Sequence, residues 1–293
     1  MSGHRFFNSM RAGLGPMIRP FLERVGPLRK LSLWALSRRH PSEVTLDGLV
    51  YQVDPRDFGV TFELHSTGTY EPFTRDACLD LLGPGMVFLD VGSHVGLYSI
   101  PAAAKVTDAG RVVAFEPHPG NRSLLEKNVL RNHADNVTVV DAAVSDSSGE
   151  MMLQVSPFNT GDHRLYRRDA GSGSGVMTRV VSIDEWCRQN NVTRVDMVKI
   201  DVQGAEARVI AGMKQMIDCS PGINIILEYT PWMLREAGDE PEELLHDLVS
   251  RGFTLSIIDE GRGTLEPSTA EEIHRACPGR SYVNVLAHHG GDA

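Results

Sequence analysis

The stretch Val87-Phe88-Leu89-Asp90-Val91-Gly92-Ser93-His94-Val95-Gly96 runs an apolar strand straight into a glycine-punctuated turn. Four apolar residues in five mark a strand buried on both faces, as in a parallel sheet. The Asp90-x-Gly92-x-x-x-Gly96 spacing then opens a tight turn onto a helix. Glycine permits the sharp bend and lets a ligand approach the backbone closely. The first turn of the following helix offers unpaired N–H groups to a carboxylate or phosphate. The segment predicts a ligand-binding loop at the end of a central strand.

The spacing also narrows the ligand. A dinucleotide turn carries Gly-x-Gly-x-x-Gly so that backbone can press against a pyrophosphate. Here His94 stands at the second glycine position. That favours a nucleoside without a pyrophosphate, S-adenosylmethionine, with its amino-acid end at the turn. A second strand, Val112-Val113-Ala114-Phe115, ends in Glu116, 26 residues beyond Asp90 and placed to accept both ribose hydroxyls. A third, Val137 to Val140, ends in Asp141-Ala142-Ala143, where a polar residue would meet the adenine amino group. The candidate cofactor set is Asp90, Gly92, Ser93, His94, Gly96, Ser99, Glu116, Pro117, Asn121, Asp141, Ala142, Ala143 and Asp201, with S-adenosylhomocysteine as product form and no metal.

Three segments together resemble the FkbM-type methyltransferases: Asp90 to Gly96, Ala114-Phe115-Glu116-Pro117, and Lys199-Ile200-Asp201-Val202-Gln203-Gly204-Ala205-Glu206. The resemblance runs from about Tyr51 to Ala287 and rests chiefly on the last octet. It implies an S-adenosylmethionine-dependent enzyme of the class I Rossmann-like fold, typically O-methylating a natural product or a sugar. It also implies one antiparallel strand closing the sheet, a place that residues 281–287 suit. Gln203 stands where that family more often has glutamate, a change expected to be exposed and of little consequence.

Composition agrees with this and excludes other classes. The chain has 293 residues, 41% hydrophobic and 23% charged, as in an ordinary globular enzyme. No apolar run approaches the ~20 residues that span a bilayer, and the four scattered cysteines fit reduced thiols in a cytoplasmic protein. The first 40 residues hold eight basic side chains against Glu23 alone, so they carry +7 and the remainder −16. An acidic body argues against binding along a nucleic-acid backbone. The expected organisation is a basic arm over 1–40, a cap with a hairpin over 41–85, and the cofactor domain over 86–293. An insertion at about 144–183 would form a β-hairpin. The arm would dock on its own domain, on a second copy in a homodimer, or on a membrane surface.

Beyond the cap, strands and helices alternate, which predicts an α/β doubly wound sheet, mainly parallel. Helices are expected over 74–82, 96–105, 119–132, 205–216 and 241–251, and a loop over 259–280. In such sheets ligands sit at the carboxyl ends of the strands. Asp201 and Glu228 fall there and are the candidate catalytic carboxylates, to orient or deprotonate a small-molecule acceptor. His163 is expected to reach in from the insertion as a general base. Tyr70, Glu71, Asp162, His163 and Arg164 are the candidate substrate contacts, the arginine suiting an anionic group. The acceptor is a hydroxyl or a carboxylate. Two alternatives remain. An NAD-linked oxidoreductase would need Gly-x-Gly-x-x-Gly and a second catalytic domain. A binding module without catalysis would be expected to lose Gly92, Gly96, Glu116 or Asp141.

Overall fold

The structure, a computed structural model, describes residues 41–290 except 58, 157–158 and 167–174. The basic arm and most of the Gly171–Gly175 tract lie outside the described residues. An N-terminal hairpin, β1 (Glu43–Leu46) and β2 (Leu49–Gln52), turns at Asp47-Gly48 and leads into α1 (Val60–Thr67) and α2 (Pro72–Asp80). Then come β3 (Val87–Val91), α3 (Ser99–Val106), β4 (Arg111–Phe115), α4 (Pro119–Arg131) and β5 (Val137–Val140). A small second sheet uses β6 (Ala143–Val144), β7 (Gly149–Gln154), β8 (Arg164–Tyr166) and β9 (Gly175–Val181). The chain returns through α5 (Ile183–Gln189), β10 (Met197–Ile200), α6 (Glu206–Ala211), α7 (Lys214–Asp218), β11 (Asn224–Tyr229), α8 (Pro231–Ala237) and α9 (Pro241–Ser250). It closes with β12 (Phe253–Asp259), β13 (Thr264–Pro267), α10 (Ala270–Arg275) and β14 (Val283–His289).

The main sheet has eight strands in the order β13-β12-β14-β11-β10-β3-β4-β5. Strands β5, β4, β3, β10 and β11 are mutually parallel. Strand β14 runs antiparallel to both β11 and β12. This is the sheet that the resemblance implies, with an antiparallel strand beside the parallel set. It carries one departure from expectation: β13, from the segment expected to be loop, adds a second antiparallel strand at the edge. From β3 the chain steps outward to β4 and β5, then returns to β10 on the other side. That reversal opens a crevice at the carboxyl ends of β3 and β10. Successive β3 residues face opposite layers. Leu89 and Val91 join one buried cluster with Phe115, Ile200 and Leu227. Phe88 joins the other with Ile100, Val112 and Ile226.

Three local expectations change for identifiable reasons. The helix expected over 205–216 breaks in two at Gly212-Met213. The Gly212 carbonyl accepts the Asp184 N–H at 2.9 Å, and the Asp184 carboxylate accepts from Gln215 N–H and Met216 N–H at 3.1 and 2.8 Å, starting α7 afresh. No helix was expected before 74–82, yet α1 forms at Val60–Thr67 because Asp57 accepts the Thr61 N–H at 2.7 Å and Gly68, at φ +75°, ends the helix. The insertion forms more than a hairpin: β7 pairs with β8 and β9, and β9 pairs in parallel with β6. Among the described residues no helix is long and apolar enough to cross a membrane.

Candidate functional site

At the switch point the crevice encloses about 520 Å³, part of it open to solvent, and Gly92, His94, Glu116, Asn121, Ala142 and Asp201 are among its lining residues. Gly92 has φ +85°, and a Cβ there would fall on the Asp201 carbonyl oxygen. The turn after β3 therefore packs directly against the chain leaving β10, which only glycine allows. The Gly92 and Ser93 N–H groups both donate to the Phe115 carbonyl at 3.1 Å, and Ser93 Oγ donates to it at 3.2 Å. This lashing brings Glu116, 4% exposed, beneath the turn. Its carboxylate accepts the His94 and His118 N–H groups at 2.9 and 2.8 Å. Burial nevertheless pushes its pKa up to about 8.

Residues Asn159 to His163 of the insertion form a roof. Thr160 Oγ1 lies 2.8 Å from His94 Nε2, the Thr160 carbonyl accepts from Asn121 Nδ2 at 2.9 Å, and the Thr160 N–H donates to Asp57 at 2.9 Å. The His163 ring packs on His118, with centroids 4.2 Å apart. His163 Nδ1 accepts the Ser156 N–H at 3.1 Å, and burial lowers its pKa to about 3. The neutral ring thus carries its proton on Nε2, a buried atom without a hydrogen-bond partner among the described residues. That corrects the expectation of a general base here. The basic nitrogen is already used, and His163 offers the crevice a donor.

The Asp201 end is built from side chains. Lys199, buried inside β10, donates to Asp201 Oδ2 at 3.0 Å and lies 4.4 Å from the centre of the Tyr98 ring. Gln203, at φ +55°, donates from Nε2 to Asp201 Oδ1 at 2.8 Å and to Glu228 Oε1 at 3.2 Å. Thr230 Oγ1 donates to the same Glu228 oxygen at 3.0 Å. Glu71 accepts from the Tyr98 hydroxyl at 2.7 Å. Burial first, and then neighbouring carboxylates, push Glu228 well above the carboxylate range. Glu71 rises too, by burial and Asp201 against the opposing Lys199. Burial alone would lower Lys199, but Asp201, Glu71 and Asp90 outweigh it and hold the ammonium charged.

The structure thus brings Asp201, Glu228, Tyr70 and Glu71 to one place; the Tyr70 phenol is pushed up by burial and then by Glu71. Asp90 lies beneath the turn, bonded to Ser99, with its Oδ1 buried and without a partner among the described residues. Gly96 packs on Leu125 and Ile100. Pro117, Ala142 and Ala143 line the crevice, whereas Asp141 points away, 63% exposed and paired with Arg122. Asp162 and Arg164 bond to each other at 2.9 Å; Arg164 also reaches Glu236 at 3.0 Å and stacks on Trp232. Sequence reasoning missed Tyr98, Thr160, Thr230 and the bridging Gln203, which is not exposed as expected. The left-handed backbone at Gln203-Gly204 was the one signal available, through its glycine. Among the described residues, no three His, Cys, Asp or Glu side chains are grouped to hold a metal ion.

The residues present fit S-adenosylmethionine: a glycine cradle, a buried carboxylate at the next strand end, alanines at the third, and His94 Nδ1 and His163 Nε2, buried with no partner among the described residues. Comparison with known proteins bears on this site directly. The family described as the methyltransferase FkbM domain matches residues 90–255, more than half of the chain. The hexuronic acid methyltransferase AglP of Haloferax volcanii is 33% identical over 129 residues, covering 43% of this chain and 49% of that protein. The AMB antimetabolite synthetase AmbE of Pseudomonas aeruginosa is 32% identical over 178 residues, 49% of this chain but 8% of that much longer protein. The 31-O-demethyl-FK506 methyltransferase FkbM of Streptomyces tacrolimicus is 27% identical over 162 residues, covering 45% and 61%. The chain spans half or less of the first two relatives' lengths.

Proposed function

The chain belongs to the FkbM methyltransferase family, with S-adenosylmethionine as its cofactor, and from that premise we propose that it methylates an oxygen of a small sugar or natural product. The observation that carries this reading is the shared crevice: Asp201 lines the same space as Gly92 and Glu116 while accepting from Lys199 and from Gln203, which also reaches Glu228. Two relatives support the substrate class by name, one acting on a hexuronic acid and one at an oxygen of a natural product.

Bound there, the cofactor supplies a methyl group activated by a sulfonium. Of the residues lining the crevice, Gly92 would hold its amino-acid end, Glu116 its ribose hydroxyls, and Ala142 and Ala143 its adenine. His163 Nε2–H and His94 Nδ1 offer the remaining polar contacts. Asp201, fixed by Lys199 on one oxygen and Gln203 on the other, orients the acceptor hydroxyl for in-line attack. Such alignment supplies much of the rate in a displacement. Glu228 stands beside it to share the hydroxyl's hydrogen bonds.

The test is incubation with S-adenosylmethionine and a panel of glycosides and natural-product alcohols. S-adenosylhomocysteine is followed as product, and the new methyl carbon is located by NMR. A methyl on oxygen is expected. Transfer to nitrogen or carbon, or no transfer by a protein that binds S-adenosylhomocysteine, overturns the reading.

A further inference from the structure

The cofactor crevice takes the ends of β3, β4 and β5, which leaves the ends of β10, β11 and β14 as the side from which an acceptor reaches Asp201. Strand pairing decides which side chains stand there. Tyr229 pairs with Val283, which sets Tyr282 opposite Thr230, just beyond the end of β11. Thr230 holds Glu228, and Gln203 links Glu228 to Asp201. The Tyr282 phenol is pushed up by burial and then by Glu228, Glu71 and Asp201, although half of the residue is exposed. Tyr282 thus bridges the carboxylates and open solvent.

Trp232, two residues after Thr230, gathers two guanidinium groups. Those of Arg164 and Arg280 lie 5.0 and 4.9 Å from its ring centre. They differ in what neutralises them. Arg164 is held by Asp162 and Glu236, and its neighbours His163 and Leu165 line the cofactor crevice. Arg280 makes no ion pair among the described residues, and the turn that presents it is fixed. The Ser281 N–H and Oγ donate to the Pro278 carbonyl at 3.2 and 2.8 Å, and Gly279 has φ +65°. A guanidinium held over an indole keeps the N–H fork that matches a carboxylate or phosphate.

A second tyrosine borders the same carboxylates. Tyr70 precedes Glu71, whose backbone is left-handed at φ +39° and ψ +55° immediately before a proline, a strained position. Distant contacts impose it. Phe73 and Thr74 donate their N–H groups to the Glu260 carboxylate at 3.1 and 2.6 Å. Asn284 Nδ2 donates to Thr74 Oγ1 at 3.0 Å, and the Tyr98 hydroxyl holds Glu71 itself.

We propose that Tyr282 and Arg280, the latter positioned by Trp232, form the acceptor subsite, and that the acceptor is an acidic sugar. The sugar ring lies on Tyr282, Arg280 takes its carboxylate or phosphate, and a hydroxyl reaches Asp201. This names the acceptor class within the methyltransferase reading above and rests on it. The chain carries a net charge of −9, so an anionic acceptor needs a guanidinium with no acid of its own in order to dock.

Calorimetry on the protein saturated with S-adenosylhomocysteine tests this with three probes: methyl glucuronide, methyl glucoside 6-phosphate and neutral methyl glucoside. At least one acidic probe should bind about 10-fold tighter than the neutral one, as one added charge-assisted hydrogen bond contributes. The tighter of the two identifies the anion as carboxylate or phosphate. Arg280→Gln should abolish the preference, Arg280→Lys should keep part of it, and Tyr282→Leu should weaken all three probes alike. Equal affinity for acidic and neutral probes, a preference that survives Arg280→Gln, unchanged binding in Tyr282→Leu, or no binding of any probe overturns the proposal. Failure of the wild-type protein to bind S-adenosylhomocysteine overturns the methyltransferase reading instead.

Discussion

At the Glu116 end of the crevice one carboxylate is surrounded by backbone N–H groups and three imidazoles that burial keeps neutral; at the Asp201 end Glu71, Asp90 and Asp201 act on one ammonium, with Glu228 beside Asp201. The first arrangement uses fixed donors and little charge, which suits a nucleoside that passes through the reaction unchanged. The second concentrates charge where charge changes hands. They also differ in origin. Residues 92–121 and the 159–163 roof make the first, whereas the second gathers Glu71, Tyr98, Lys199, Gln203, Glu228 and Thr230 from four separate stretches. One crevice therefore contains a local, neutral half and a dispersed, charged half, joined where Gly92 touches Asp201.

Breaking that joint should have the largest effect. Gly92→Ala must place a methyl on the Asp201 carbonyl in a left-handed conformation, and we expect more than about 3 kcal/mol of lost stability in urea titrations. Gly48→Ala is the control: φ is +82° there too, but nothing lies within 4 Å of the added carbon, so the cost should stay near ~1 kcal/mol. Next in size, Glu116→Ala removes two charge-assisted hydrogen bonds to ligand hydroxyls, each worth about 1.5–3 kcal/mol. S-adenosylhomocysteine affinity by calorimetry should fall more than about 100-fold, against less than about threefold for Glu228→Gln.

The protonation of Glu116 sharpens the contrast further. Its folded-state pKa is raised to about 8 from an ordinary 4.5, so the ligand-free folded protein holds a proton there that the unfolded chain has released. The stability from this group is complete below about pH 4.5 and is lost as pH rises through about 8. Ligand hydroxyls favour the ionised form, so binding near pH 7 should release a proton and affinity should rise with pH. Binding enthalpies in two buffers of different ionisation heat would measure the release, and Glu116→Gln should abolish it. The smallest effect belongs to Asp141→Asn, below about twofold in affinity, because an exposed pair with Arg122 contributes ~0–1 kcal/mol.

The neutral half was largely legible in the sequence. Strand ends, glycines and the acid at Glu116 obey local rules of spacing, so the β3, β4 and β5 ends appeared in the right order. Asp141 was the exception: neighbours along a strand end point to opposite sides, and Ala142 took the inward place while Asp141 met Arg122. The charged half was legible only as separate candidates. Asp201, Glu228, Tyr70 and Glu71 were each marked, but nothing local says that Gln203 bridges two of them or that Tyr98 holds a third. Gln203 looked exposed because a Gln-Gly pair signals a turn, and the turn here folds inward beneath α8, where Gly204 abuts Met233. His163 was seen as a base because sequence shows a ring and not the Ser156 N–H that occupies it.

The Glu260 carboxylate that caps α2 lies 187 residues beyond Phe73 in the chain. During synthesis the glycine turn, Glu116 and the parallel core strands all leave the ribosome first, while the brace that sets Glu71 waits for the β12–β13 turn. Asn284, which holds Thr74, comes later still, on β14. Contacts of such sequence separation close last because the loop entropy they overcome is greatest. A growing chain can thus assemble the half that recognises the nucleoside well before the half that handles charge. The left-handed kink at Glu71, φ +39°, is locked only once β14 has been made.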